Sequence, residues 1–231
     1  MTSMRPMSPL RRTVLHSIVL VAAMAAGVLP AQAASKGDTT DFFRAVQMDD
    51  ARTVQSLLGK VDPNAQNPIG GEPALVLAVR ENAMQVLTTL LAYKGTNIDA
   101  TAMNGNTALM MAAFKHNKPA AEALIAKGAA VNRDGWTPLH YAAASGDIDI
   151  AKLLLAKGAR VDAVSPPASG KFTPLMMAAR EGHDDAAVFL LGQGANPALK
   201  NGEGMTAAQI AEKADHASIA KAINERGSQR R

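Results

Sequence analysis

A short phrase returns five times along this chain, and that return limits the possible folds more than any other feature. It reads Pro73-Ala74-Leu75-Val76, Thr107-Ala108-Leu109-Met110, Thr137-Pro138-Leu139-His140, Thr173-Pro174-Leu175-Met176 and Thr206-Ala207-Ala208-Gln209. Successive phrases start 34, 30, 36 and 33 residues apart. Small residues follow each one: Ala78, Ala112-Ala113, Ala142-Ala143, Ala178-Ala179 and Ala211. A second phrase keeps step with the first: Leu90-Leu91 with Gly95, Leu124-Ile125 with Gly128-Ala129, Leu154-Leu155 with Gly158-Ala159, and Leu190-Leu191 with Gly194-Ala195. Self-similarity at this period marks a chain of stacked units, none of which can bury its apolar face alone.

The residues of one period say what a unit is. Thr137 is a helix N-cap type, and Pro138 at the first helical position gives up only a donor that the helix leaves orphaned. Leu139 points into the stack, and Ala142-Ala143 let neighbouring helices approach closely. Gly146 permits a turn into a second helix, whose apolar face is Ile148, Ile150, Ala151, Leu153, Leu154 and Leu155. Gly158 ends that helix with a left-handed residue, and Val161-Asp162 opens an extended excursion to the next unit. The unit is helix, turn, helix, loop, and the array is all-α. Composition agrees, since aromatics are only 3% of the residues while Ala, Leu and Met are plentiful. That mix suits small helices packed closely better than a β-sandwich.

These residues resemble the ankyrin repeat, whose Thr-Pro-Leu-His-x-Ala signature and period of about 33 residues match Thr137 to Ala142 directly. The resemblance covers essentially all of the chain after residue 33. It implies a solenoid of paired antiparallel helices with a β-hairpin finger at each junction. Six units are expected, at about 40–66, 67–100, 101–132, 133–165, 166–199 and 200–227, after a short linker at 34–39 and before a disordered tail at 228–231. The first unit lacks the phrase but keeps Phe42-Phe43, Ala45-Val46, Val54 and Leu57-Leu58, and the last is degenerate and more charged. Atypical ends suit a solenoid, because each terminal unit turns one face to water.

The two odd spacings both fall in finger regions. The stretch from Val131 to Trp136 is about three residues short, and the one from Val161 to Phe172, through Ser165-Pro166-Pro167-Ala168-Ser169-Gly170, is about three too long. The two changes cancel, so the helices are expected to stay in register past one clipped finger and one long, proline-stiffened finger. Loops tolerate such changes without consequence, and they also shape binding surfaces.

The first 33 residues belong to a different class. Arg5, Arg11 and Arg12 precede an apolar run from Val14 to Leu29, broken only by His16 and Ser17, and then come Pro30 and Ala31-Gln32-Ala33. A basic start, a short apolar core and an A-x-A end are the parts of a secretory signal peptide. The run is short of the roughly 20 residues a spanning helix needs. Cleavage is expected after Ala33, leaving no stable membrane anchor, with a bacterial periplasm or the exterior as destination. Arg11-Arg12 leaves twin-arginine export open beside the general secretory route. The same three arginines supply +3 of the formal +4, and the remaining 21 basic and 20 acidic residues nearly cancel. No basic stripe is left to recruit phosphates, so nucleic acid is not an expected partner.

Catalytic and metal motifs find no support. There is no cysteine, and His16, His116, His140, His183 and His216 have no partner at ligand spacing. The resemblance gives His140 and His183 structural roles, His140 holding the turn of the signature. Met110, Met111, Met176 and Met177 recur at equivalent places, where gap-filling core is the simpler use than copper binding. Asp49-Asp50, Glu81, Glu181 and Asp184-Asp185 are scattered over turn positions of different units, and no glycine-rich phosphate loop is present. No enzyme, cofactor or metal is expected.

What remains is the face that the family uses for ligands, built from fingers and first helices. Carried over by motif, it comprises Glu72, Arg80 and Glu81; Asn106, Phe114 and Lys115; Trp136, Ala144 and Ser145; and Phe172, Arg180 and Glu181. The single tryptophan and two of five phenylalanines fall there, and aromatic and arginine side chains are the usual anchors of protein interfaces. The competing reading is that Trp136 and Phe172 only brace the fingers. The expected function is a monomeric, non-catalytic scaffold or accessory factor for one partner protein in the periplasm. Exported arrays that look like this are associated with catalases or oxidative-stress defence, a link that only the resemblance suggests. An immunity or inhibitor protein for a secreted toxin or enzyme is the alternative, and a small-ligand or metal carrier is the third reading.

Overall fold

The computed structural model describes residues 35–228. The expected signal peptide with its cleavage point at Ala33 lies outside them, as do residues 229–231 of the expected tail. Six helix pairs follow one another: α1 (Lys36–Gln47) with α2 (Ala51–Leu57), α3 (Ala74–Arg80) with α4 (Met84–Ala92), and α5 (Ala108–Phe114) with α6 (Lys118–Ala126). Then come α7 (Pro138–Ser145) with α8 (Ile148–Ala156), α9 (Pro174–Glu181) with α10 (Asp184–Gly192), and α11 (Ala207–Lys213) with α12 (Ala217–Ser228). First helices pack on first helices and second helices on second, so the pairs form two parallel rows.

The repeated threonine starts the first helix as its chemistry requires. Thr107 and Thr173 side chains accept the backbone N–H three residues on, at 3.3 Å, and Thr206 does so at 3.4 Å. These bonds satisfy donors that the first turn leaves free. The chain also starts earlier than the expected linker allows. Ser35 Oγ accepts the Asp38 N–H at 3.0 Å while Asp38 Oδ2 accepts the Ser35 N–H at 3.1 Å. This capping box begins α1 at Lys36, so most of the 34–39 stretch is helix.

The turn between paired helices places one residue in the left-handed region in every unit: Asp49 (φ 54°), Asn82 (57°), His116 (57°), Gly146 (74°), Gly182 (83°) and Asp215 (62°). Glycine fills it twice, and elsewhere Asp, Asn and His do, the non-glycine residues that best tolerate that conformation. The alanine pairs of the phrase then let the rows close. Ala112, Ala113, Ala142, Ala143, Ala178 and Ala179 are all buried to within 1%.

The fingers are leaner than the hairpins the family implies. Among the described residues there is no strand, only one isolated bridge between Leu58 and Val61. Except for the clipped one, the fingers are turns closed by backbone bonds, such as Ala102 N–H to Asn106 O at 2.9 Å and Ser165 N–H to Phe172 O at 2.8 Å. Single bonds join adjacent fingers, as from Gly202 N–H to Gly170 O at 2.8 Å. The long finger turns through a short 3-10 segment at Pro167–Ser169. Its Pro166 presses on the clipped finger so closely that a Cβ on Gly135 would meet Pro166 Cγ at 2.9 Å. Behind both fingers α7 packs on α5 and on α9, so the helical rows stay in register.

Candidate functional site

Two histidines of the repeat are bound into the frame. His140 is fully buried, and its Nδ1 accepts the Thr137 N–H at 3.1 Å and the Thr137 hydroxyl at 2.9 Å. With Nδ1 accepting, Nε2 carries the proton and donates to the Phe172 carbonyl of the next unit at 3.0 Å. Burial holds His140 down to a pKa of about 4, against the raising effect of backbone bonds to Phe172 and Ala163. The local bond is the one the signature implies, and the bond across to Phe172 ties the base of the long finger to α7. His183 makes a similar bridge, with Nε2 on the Ala144 carbonyl at 3.0 Å. Met110 and Met176 occupy the seat that His140 fills in α7, each 1% exposed, and the Met176 sulfur accepts the Thr173 N–H at 3.4 Å.

A groove of about 400 Å³ lies over α7, between the end of α5 and the last turn of α9. Phe114 of α5 forms one wall, with Trp136, His140 and Tyr141 at the finger side. Met177, Arg180 and Glu181 of α9 form the opposite wall, and Ala144 lies between. Phe114, 52% exposed, meets Tyr141 edge to face with ring centres 6.4 Å apart. Trp136 packs on the edge of His140 at 5.2 Å and of Tyr141 at 6.4 Å. Tyr141 donates its hydroxyl to Asn106 Oδ1. Its pKa is raised, chiefly by burial, with the Asn106 bond and the Arg133 charge acting the other way.

The residues expected on this face sort into three groups. Phe114, Trp136, Arg180 and Glu181 come together in the groove. Phe172 joins through Arg180, whose guanidinium stacks over its ring at 5.1 Å, and Asn106 joins through Tyr141. Lys115 stands exposed beside Phe114. Glu72, Arg80 and Glu81 form a separate ion cluster on α3, in which Arg80 bridges both carboxylates and Glu72 Oε2 is buried without a partner. Ser145 faces inward instead, donating to Ala113 O of the preceding unit at 3.0 Å. Both readings of the aromatic pair hold in part, since Trp136 and Phe172 are half-buried braces that still border open surface.

Sequence reasoning missed Tyr141, and it read Met177 as core, which its 6% exposure bears out although the side chain also borders the groove. Both sit four residues after the threonines of their phrases, one helical turn before Ser145 and Glu181. Residues three and four apart share a helix face, so that spacing was the available signal.

Stacked helix pairs bearing an aromatic groove across three units define a repeat scaffold. The chain belongs to the ankyrin-repeat family: models of ankyrin repeats match residues 42–132 and 78–165, and again 141–191 and 175–222. Such arrays mediate protein–protein binding. Among the proteins it is similar to is SH3 and multiple ankyrin repeat domains protein 1 of Homo sapiens, 38% identical over 120 residues, 49% of this chain and 6% of that protein. Transient receptor potential cation channel subfamily A member 1 of Homo sapiens is 31% identical over 123 residues, 52% of this chain and 11% of the channel subunit. Glycerophosphocholine phosphodiesterase GDE1 of Eremothecium gossypii is 36% identical over 115 residues, 48% of this chain and 9% of that protein. The chain thus spans only a small part of each relative's length.

Proposed function

We propose that this protein is a non-catalytic periplasmic scaffold that holds one partner protein on the groove over α7. The observation that carries the reading is the groove itself. In a chain with 3% aromatic residues, the sole tryptophan, an exposed phenylalanine, a tyrosine and an arginine meet in one open concavity. Trp, Tyr and Arg are the side chains that dominate binding energy in protein interfaces, and clustering them in one concavity is costly without a partner to cover them. The signal-peptide pattern ending at Ala33 supports a periplasmic setting.

Affinity capture from a periplasmic extract tests this, with the native protein and a Phe114→Ala/Arg180→Ala double variant as parallel baits. One dominant partner held by the native bait and lost from the variant, with helical circular dichroism unchanged, is the expected result. Equal capture by both baits places the interface elsewhere, and no captured partner removes the scaffold reading.

A further inference from the structure

The groove owes its depth to one small residue. Seven residues after the threonine of its phrase, α5 carries Phe114 and α9 carries Arg180, while α7 between them carries Ala144. All three line the same concavity. A methyl group between two long side chains leaves a notch with Ala144 at its floor, ring edges on one side and the Met177 thioether on the other. The volume of about 400 Å³ is at the low end for ligand pockets, and suits one or two inserted side chains rather than a whole helix.

The charges around the notch are uneven. On the α9 side, Arg180 is held by Glu181 at 2.7 Å and stacked over Phe172, so that wall is neutral overall. At the finger end stands Arg133, whose Nη1 donates to the Gly105 carbonyl at 3.0 Å and whose charge reaches Tyr141 of the groove, while Lys115 is exposed at the opposite end of α5. Neither cation has a carboxylate partner among the described residues. Asp134, the acid next to Arg133 in the chain, borders the other cleft, with Val164, Pro166 and Lys171, and Asp147 pairs with His116, the residue after Lys115, at 3.2 Å.

We propose that the Ala144 notch takes one large aromatic or aliphatic side chain of the partner protein, with a partner carboxylate near that anchor lying against Arg133. This rests on the scaffold reading above. The anchor supplies most of the binding energy by filling the notch, and the cation fixes its direction and speeds encounter.

The test is to pan a random peptide library, displayed on phage, over the immobilised full chain. Selected peptides are then titrated by the fluorescence of Trp136, the only tryptophan, which borders the notch. The expected consensus is an aromatic residue or leucine flanked by Asp or Glu. Ala144→Leu should weaken the selected peptides by roughly 30-fold, the scale of one lost anchor. Ala144→Arg should do the same, and it copies the residue that α9 already carries at that position, which keeps a folded control in hand. Arg133→Gln should weaken binding several-fold and flatten its salt dependence. No enrichment, a basic or anchorless consensus, or equal binding to the Ala144 variants overturns the proposal. The capture experiment separates the two failures. A partner that binds native and Ala144→Arg chains alike refutes the notch and leaves the scaffold standing, while failure of capture by the native chain refutes the scaffold and this proposal with it.

Discussion

Helices α7 and α9 are neighbours built on one frame, and they differ only where the frame allows. Pro138-Leu139 and Pro174-Leu175, Ala142-Ala143 and Ala178-Ala179, and the left-handed Gly146 and Gly182 coincide position for position. They diverge at two buried seats of α9, Met176 for His140 and Met177 for Tyr141, and beyond them at Arg180 for Ala144 and Glu181 for Ser145. A position buried against both neighbouring helices accepts few volumes, because interiors are close-packed. A position facing the groove answers to no neighbour's volume. The repeat phrase therefore spells the frame, and the groove is written in the residues between its letters.

The largest effect should fall on the shared frame and be equal in both helices. Leu139 and Leu175 are 0% and 1% exposed at matching positions. Leu139→Ala and Leu175→Ala should each cost about 2–5 kcal/mol, the range for a large-to-small change in a packed core. Urea denaturation of the two variants checks this. A cost under about 1 kcal/mol at either site alone would break the equivalence of the helices.

The seat of His140 is where the two helices should respond differently to acid. The native state holds His140 neutral, with its pKa lowered from 6.5 to about 4. In the unfolded chain the ring takes up a proton as pH falls through 6.5, whereas the folded chain resists until about 4. The associated stability is therefore complete above pH 6.5 and is lost progressively as pH falls towards 4, amounting to about 3 kcal/mol. His140→Met, which copies the seat in α5 and α9, should abolish that component of the acid loss. The native midpoint should fall more steeply than the variant's across this range, and parallel curves would refute the assignment.

The inter-helix turn should give an intermediate effect. Gly146 has φ 74°, and a Cβ there would lie 2.7 Å from His183 Nδ1. Gly146→Ala should cost about 1–3 kcal/mol from backbone strain and the displaced ring. Asn82→Gly at the same turn of its unit relieves a positive φ and should change stability by less than about 1 kcal/mol. Thermal melts of the pair check the contrast, and a Gly146→Ala protein as stable as the native one would remove the turn's claim on glycine.

Much of the frame was legible because it rests on local chemistry. Thr at the cap, Pro after it, paired alanines and leucines at helical spacing each have one physical use, and the helix pairs that carry the phrase fall where those letters put them. Three things were not legible. Asp49, Asn82, His116 and Asp215 in left-handed turns carry no glycine to announce them. The fingers show no ladder, because short turns closed by single bonds need no alternating pattern. Of the surface, the anchor positions before and after the phrase were readable, but two further facts depended on side-chain direction. Ser145 turns in to bond Ala113, and Tyr141 borders the groove. Position in a repeat fixes the backbone, and only packing decides which way a half-exposed side chain is used.

The smallest effect on stability should come from exchanging the outer residues of the two helices. Ala144→Arg together with Arg180→Ala moves the small residue from α7 to α9 and leaves every frame position untouched. Arg180 is 43% exposed, its ion pair with Glu181 is equally open, and such surface pairs contribute at most about 1 kcal/mol. The stacking of its guanidinium on Phe172 adds an exposed cation–π contact of about 0.5–1 kcal/mol. The arginine introduced in α7 has the same groove to extend into that Arg180 has in its own unit, so it meets no packed neighbour. The exchanged protein should unfold within about 1 kcal/mol of the native one in urea, while its notch shifts one unit along the array. A loss above about 2 kcal/mol would show that the outer positions belong to the frame after all, and that surface and scaffold are not separable in this chain.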